Sequence, residues 1–288
     1  MHLGNLFTAL LAWLSARADG GEFVLRIEDL DPDRSRAEYA EAIRDDLRWL
    51  GLDWDREMPL QSTQTPVYAE QFERLRKRGL IYPCFCTRNE LHAASAPHAS
   101  DGTLLYAGTC RNLTPAQIAS QTRKPAWRIR VPEETISFRD GVFGAVTQNL
   151  ATACGDFILR RSDGVYAYQL AVVCDDALGG ITQVVRGCDL LPSTPRQIWL
   201  GRELGFVQPA YYHVPLLVAP DGRRLSKRER DLDMGHLRRR YTPEQLTGRL
   251  VFLAGLRQKD AAVTPGELTR EFTWDVIHKK DIPISEDF

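Results

Sequence analysis

Three groups of side chains in this sequence have the types and spacings that chemistry needs. Cys84-x-Cys86, followed by Cys110, offers three thiolates from a stretch with little periodicity. Three thiolates suit a borderline-soft tetrahedral cation such as Zn2+, and a structural site needs a fourth ligand to close it. Spacing admits His92 or His98 for that place. Next, Glu28-Asp29-Leu30-Asp31-Pro32-Asp33 puts four carboxylates into six residues, directly after the β-rich run Glu22 to Ile27. Such a run can receive a cation or cap the helix that follows. Last come two short basic or polar motifs far apart in the chain, His2-Leu3-Gly4-Asn5 and Arg224-Leu225-Ser226-Lys227-Arg228. The first opens a helical pattern, where unpaired N–H groups favour a phosphate; Gly4 lets a nucleotide approach the backbone and His2 adds a donor. The second follows a Pro220-Asp221-Gly222 turn, and a Lys on such a loop suits a polyphosphate whose leaving group gains charge. Singly, each motif also fits an ordinary helix start or a solvated basic loop.

The elements that must hold these groups alternate between helix and strand. Leu6, Leu10, Trp13 and Leu14 recur at helical spacing and end at Gly20-Gly21. Glu22 to Ile27 reads as a buried strand. Tyr39, Ile43, Leu47 and Leu50 mark a second helix stopped by Gly51. Thr65 and Pro66 open a third, with Tyr68, Phe72 and Leu75 inward and Gly79 as its stop. This alternation predicts α/β layering with parallel pairing. Residues 82–125 break the pattern and read as a small insertion stapled by the cysteines. Trp127 to Val131 and Ala167 to Val173 read as strands, and Thr194 to Leu204, opened by Pro195 and stopped by Gly205, as a helix. Residues 223–240 carry eight basic side chains against three acids, a local excess that could touch RNA phosphate or simply be solvated.

Composition narrows the classes. A chain of 288 residues with 43% hydrophobic and 26% charged residues has one good core and is not disordered. No run of 18 apolar residues spans a membrane, and the start lacks a secretory pattern, so the cytoplasm is the expected compartment. A net charge of -1 excludes a bulk electrostatic grip on nucleic acid. Six cysteines without an export signal read as thiols or metal ligands; Cys154, Cys174 and Cys188 sit in apolar contexts and read as structural. Neither G-x-G-x-x-G after a strand nor G-x-x-x-x-G-K-[ST] occurs, which removes the dinucleotide and P-loop enzymes.

Taken together, His2-Leu3-Gly4-Asn5 and Leu225-Ser226-Lys227-Arg228 resemble the two signatures of class I aminoacyl-tRNA synthetases. Between them, Arg26-Ile27-Glu28-Asp29-Leu30-Asp31 and Leu50-Gly51-Leu52-Asp53-Trp54-Asp55 resemble the glutamyl/glutaminyl branch. So do Tyr168-Gln169-Leu170-Ala171-Val172-Val173-Cys174-Asp175-Asp176 and Val185-Arg186-Gly187-Cys188-Asp189-Leu190-Leu191. Roughly 60 residues follow Arg228, a length that is marginal as a free-standing unit. That shortness resembles the catalytic-half-only members, the glutamyl-queuosine tRNA(Asp) synthetases. The resemblance implies a Rossmann-like parallel sheet with helices on both faces. Residues 1–81 and 126–240 would be its two halves, 82–125 a zinc-binding insertion and 241–288 a docked helical extension (Tyr241 to Leu256 and Glu267 to Ile277), with no anticodon-binding domain. Cys84, Cys86, Cys110 and, on the family pattern, Tyr106 would hold one structural Zn2+.

The resemblance also implies the chemistry. L-Glutamate would be activated by ATP with Mg2+, without tRNA, and passed to the queuosine base in the anticodon of tRNA(Asp) by a monomer. Arg186, by a bidentate fork, and Tyr168 would hold the substrate carboxylates, and Glu28 its ammonium. His2, Gly4, Asn5, Leu225, Ser226 and Lys227 would form the ATP site, with His2 at the phosphate and Lys227 on the departing pyrophosphate. A 3′-end-charging synthetase and an RNA-binding relative without activity are the alternatives. The family strand that precedes the His motif, with its Arg and Ser ligands, has no counterpart ahead of Met1, so an open sheet edge is expected. Asn5 stands where the signature has a second His, and Leu225 where it has Met, a near-isosteric exchange. Lys227→Ala should lower glutamate-dependent ATP–pyrophosphate exchange at least about tenfold, roughly 1.4 kcal/mol of transition-state stabilisation; unchanged exchange would remove Lys227 from the site.

Overall fold

The computed structural model describes residues 1–31, 35–87, 89–90, 105–223, 225, 232–285 and 288. Helix α1 (Leu3–Ala18) is apolar on most of its circumference and runs through the middle of the molecule, with Leu3, Leu6, Leu10, Leu11 and Leu14 fully buried. Strand β1 is only Val24–Leu25, shorter than the run Glu22 to Ile27 suggests, and pairs in parallel with β2 (Arg56–Glu57). The block after Leu50 explains how β1 is held. Trp13 Nε1 donates to Asp53 at 2.9 Å, while Asp55 accepts from Arg17 and from the Phe23 backbone N–H, both at 2.7 Å.

Helix α2 (Ala37–Leu50) links the two strands and stops at Gly51, whose φ of 84° is left-handed and favours glycine. Its inward face is Ala40, Ile43, Leu47 and Leu50, and Tyr39 turns outward, 50% exposed; the reading of Tyr39 as an inward residue is therefore corrected by one position. Helix α3 (Thr65–Lys77) grows from a 3-10 turn at Gln61–Gln64, so Gln64 and not Thr65 is its cap. Tyr68, Phe72 and Leu75 face inward as their spacing predicts.

The second half begins with β3 (Ile81–Cys84), antiparallel to β4 (Ala126–Ile129). The short α4 (Pro115–Ala119) lies between them in sequence. A hairpin of β5 (Thr135–Asp140) and β6 (Gly144–Asn149) leads through α5 (Leu150–Ala153) to β7 (Ile158–Arg160), which pairs with β4. Then come α6 (Tyr168–Leu178), β8 (Gln183–Gly187), α7 (Thr194–Leu204) and β9 (Ala210–Val214). Strands β8 and β9 are parallel, β9 meets β5 in parallel, and the sheet order is β6-β5-β9-β8.

The strand expected over Ala167 to Val173 is the helix α6. Leu170, Ala171, Val172, Val173 and Cys174 are all buried, because α3, α7 and β7 pack around it. A helix covered on every side loses the 3.6-residue pattern that would have identified it. Its Asp175 is also buried, and accepts from Tyr68 Oη at 2.9 Å and Gln61 Nε2 at 2.7 Å, which ties α6 to α3.

Two-residue strands β10 (Leu217–Val218) and β11 (Ile282–Pro283) pair in parallel and bring the end of the chain back to the main body. Helix α8 (Met234–Arg240) carries part of the basic stretch, but Arg238 is neutralised by Asp45 and Asp46. Helix α9 (Pro243–Ala254) packs on α2. The region Glu267 to Ile277 holds only α10 (Pro265–Leu268) and a 3-10 turn at Trp274–Val276, less helix than its reading as an extension implies. There the Trp274 ring stacks on Tyr212 at 4.6 Å. No helix among the described residues is long and apolar enough to cross a membrane.

A channel of about 1120 Å³ runs between β1 and β8, over the small residues Thr8, Ala9, Ala12 and Ala16 of α1. Strand β1 pairs only with β2 and β8 only with β9, so each keeps one unpaired edge among the described residues. Elsewhere packing is tight. A Cβ on Gly248 would sit 2.1 Å from the backbone oxygen of Ala261. Gly248→Ala should therefore destabilise the fold by about 1–3 kcal/mol through overpacking, seen as an earlier denaturation midpoint; an unchanged midpoint would refute that close approach.

Candidate functional site

The mouth of the channel collects residues from four distant parts of the chain. His2 is the extended N-cap of α1, and its imidazole lies over Gly4, where an added Cβ would come within 3.3 Å of Cε1. Asn5 turns back and accepts the His2 backbone N–H at 3.3 Å, so part of the helix start is capped from within. Glu28, Arg186 and Leu225 line the same channel. Arg224, Ser226 and Lys227 lie outside the described residues.

Glu28 stands just past β1 on an exposed rim. Arg26 reaches its Oε1 at 2.9 Å and also binds Asp176, so one guanidinium spans β1 and α6. Burial works against the Arg26 charge, but Asp176 and Glu28 outweigh it and hold the guanidinium firmly protonated. Glu28 Oε2 makes no hydrogen bond among the described residues and is available to a cationic ligand. Asp29, next along, has a different role: it accepts the Ser62 backbone N–H at 2.9 Å and the Ser62 hydroxyl at 2.6 Å, capping the turn before α3. Within the acidic run, Glu28 is thus an ion-paired rim carboxylate with one oxygen unbonded among the described residues, and Asp29 a structural cap.

Tyr168 opens α6. Burial, joined by the charge of Glu28, pushes its phenol above the ordinary value, while Arg186 and Arg26 oppose that. The ring does not line the channel itself, but these neighbours put it beside both charged groups. Arg186 is 9% exposed. Its Nε–H donates to His213 Nε2 at 3.1 Å, and Nη2 donates to Thr194 Oγ1 at 2.8 Å and Gln197 Oε1 at 2.7 Å. The guanidinium lies 5.3 Å from the Tyr211 ring centre. Nη1 has no hydrogen-bond partner among the described residues. A bidentate fork, the expected grip, would need Nη2 or Nε to release the protein; one arm is presented here.

Sequence reasoning gave no role to Arg26, Asp176, Thr194, Gln197, Tyr211, His213 or Asp140. Only Arg26 and Asp176 lay within the quoted motifs. For the others the one available signal was a polar residue inside an apolar strand or helix, which is weak without a structure.

The cysteine cluster lies apart from the channel, across the β3–β4 sheet. The sulfurs of Cys84, Cys86 and Cys110 fall within 4.8 Å of one another. Tetrahedral coordination at about 2.3 Å to sulfur and ~2.0 Å to oxygen needs S···S edges near ~3.8 Å and S···O edges near ~3.5 Å. Cys86 and Cys110 are 3.6 Å apart, and Tyr106 Oη is 3.5 Å from Cys84 Sγ and 3.8 Å from Cys86 Sγ. The donor set and its size fit a Zn2+ ion closed by Tyr106. The other two nominees for the fourth place, His92 and His98, lie outside the described residues. Arg128 stacks on the Tyr106 ring at 3.9 Å and gives its Nε–H to Cys84 Sγ at 3.3 Å. Burial disfavours the Cys84 thiolate, but Tyr106 and Arg128 bring that thiol below its ordinary range. Burial and the nearby Cys84 charge push Cys86 up to about 12. Buried Asp156 anchors the cluster by accepting from Tyr82 Oη at 2.6 Å and Arg111 at 2.9 Å.

Residues 1–285 match the family described as tRNA synthetases class I (E and Q), catalytic domain. The chain is 49% identical over 269 residues to a glutamyl-Q tRNA(Asp) synthetase of Nitratidesulfovibrio vulgaris, covering 89% of this chain and 83% of that protein. It is 46% identical over 299 residues to one of Symbiobacterium thermophilum, covering 99% and 92%. Among solved structures, a glutamate tRNA ligase of Elizabethkingia meningosepticum, in complex with its amino acid, superposes with a TM-score of 0.83 at 27% identity. It covers all of this chain and 65% of that one. The glutamate-tRNA synthetase of Elizabethkingia anophelis gives 0.84, 27% and 66%. The chain spans about two thirds of the length of those two ligases. By sequence and by fold, the chain belongs to the class I glutamyl- and glutaminyl-tRNA synthetase family of ligases.

Proposed function

We propose that this chain activates L-glutamate with ATP to glutamyl-adenylate, without tRNA, and transfers it to the queuosine base of tRNA(Asp). The observation that carries this reading is the channel mouth. It combines a phosphate-favouring helix start, a rim carboxylate at Glu28 that Arg26 holds by one oxygen, and a buried cation at Arg186 whose hydrogen-bond partners are all neutral. A zwitterion with an additional carboxylate matches those charges. Identity points to the acceptor: the glutamyl-Q relatives share 43–49% of aligned residues with the chain, against 27% for the glutamate ligases.

In this reading Glu28 receives the ammonium group, and Arg186 Nη1 with Tyr168 receives a carboxylate. An α-carboxylate oxygen attacks the α-phosphorus of ATP, the bond to the β-phosphate oxygen breaks, and pyrophosphate departs in line. No protein nucleophile is needed, so catalysis is positioning plus charge stabilisation. His2 and the α1 start face the phosphates beside Gly4, Asn5 and Leu225. Ser226 and Lys227 complete the ATP site in this reading, Lys227 meeting the charge that grows on pyrophosphate. Mg2+ bound with ATP neutralises phosphate charge. A hydroxyl of the acceptor then attacks the mixed anhydride carbonyl and releases AMP. Cys84, Cys86, Cys110 and Tyr106 would hold Zn2+, whose part would be structural, tying the end of β3 to Cys110.

Radiolabelled glutamate should be esterified to tRNA(Asp) carrying queuosine and not to the same tRNA carrying unmodified guanine. Equal labelling of both would favour charging at the 3′ end. Cys84→Ser should remove most of the bound zinc, measured by metal analysis of the purified protein; undiminished stoichiometry would reject Cys84 as a ligand.

A further inference from the structure

A buried guanidinium normally rests on a carboxylate. Arg186 does not: its direct partners are an imidazole, a hydroxyl and an amide, and the carboxylate of Asp140 stands behind the imidazole. Asp140 closes β5 and is 1% exposed. Its Oδ1 accepts the backbone N–H groups of Val142 at 2.9 Å and Phe143 at 2.8 Å, and its Oδ2 accepts the His213 ring at 2.6 Å and backbone at 3.2 Å. A carboxylate with four donors is held as an acceptor only. The proton of the His213 ring must then sit on Nδ1, which leaves Nε2 bare as the acceptor for Arg186. Burial lowers the pKa of His213, against the pull of Asp140 and Asp189, and Arg186 lowers it further. The same ring stacks over Tyr211 at 6.2 Å, the residue that also lies under the guanidinium.

We propose that Asp140 and His213 are a positioning pair that aims Arg186 at the substrate carboxylate while leaving its charge to be met by that ligand. Asp140 fixes the tautomer, His213 fixes Nε of the guanidinium, and Thr194 with Gln197 fix Nη2. Nη1 remains as the arm directed to the channel. A carboxylate touching Arg186 directly would neutralise it and compete with the amino acid; interposing the imidazole keeps the cation oriented but unmatched. This inference rests on the reading of Arg186 as a glutamate ligand.

The test measures KM for glutamate and KM for ATP separately in ATP–pyrophosphate exchange. It uses the full chain and the variants Arg186→Lys, His213→Gln, His213→Asn and Asp140→Asn. Gln can place an amide oxygen near the position of Nε2, whereas Asn can reach only the position of Nδ1. His213→Asn and Asp140→Asn should raise KM for glutamate on the order of tenfold, the loss of an oriented charge-assisted hydrogen bond, with KM for ATP within about twofold. His213→Gln should stay near the parent, and adding Arg186→Lys to His213→Asn should add little. If Arg186→Lys raises KM for glutamate while His213→Asn and Asp140→Asn do not, the positioning pair is refuted and the glutamate site stands. If Arg186→Lys itself leaves KM for glutamate unchanged, the reading of the site fails first. Parallel rises in both KM values would mean a general structural role and also overturn the proposal. Should His213→Asn fail to fold, Asp140→Asn carries the same comparison.

Discussion

A buried positive charge without a touching negative one is the constraint on which this molecule is built. Taking a guanidinium out of water costs several kcal/mol unless its donors are satisfied and its charge is answered. Here Nε and Nη2 of Arg186 are satisfied by neutral groups drawn from β9 and α7, Nη1 is left without a partner among the described residues, and the carboxylate of Asp140 stands behind His213. This explains why β5, β8 and β9 must be neighbours, with Asp140 opposite Tyr211 and Arg186 opposite His213 in the strand register. It also explains why α7 begins where it does, since Thr194 and Gln197 lie on its first turn. The arrangement is stable only if the sheet order is right, so the fold and the binding cation depend on each other.

The opposite wall follows similar logic with the signs reversed. Glu28 is not left alone on its rim; Arg26 links it to Asp176, and the Asp53 and Asp55 contacts with α1 hold the short β1 in place. A two-residue strand contributes little by itself. The register of that wall comes from side-chain links to α1 and α6 more than from the ladder. Across the channel, an anionic rim then faces a buried cation, with the start of α1 between them.

Much of this was legible in the sequence and some was not, for identifiable reasons. Helix α7 announced itself through Pro195 and Gly205, and α2 through Gly51, because backbone punctuation is local. Helix α6 misread as a strand because burial on every side erased its period. Tyr39 was misplaced because one residue along a helix turns the side chain by about 100°, enough to leave the core. The three-thiol cluster was readable from spacing; Tyr106 was named on the family pattern alone, and its hydroxyl lies 3.5 Å and 3.8 Å from two of the sulfurs. Asp140 and His213 were invisible, since they lie 73 residues apart and each looks alone like an ordinary strand residue. The single unpartnered arm of Arg186 was not anticipated.

The most direct measurement is pyrophosphate exchange into ATP by the purified chain, with glutamate and magnesium supplied and tRNA withheld. Exchange that depends on glutamate and fails with aspartate and glutamine is the predicted result. No exchange under these conditions, or exchange that starts only when tRNA is added, would contradict the proposal that this channel adenylates a free acidic amino acid.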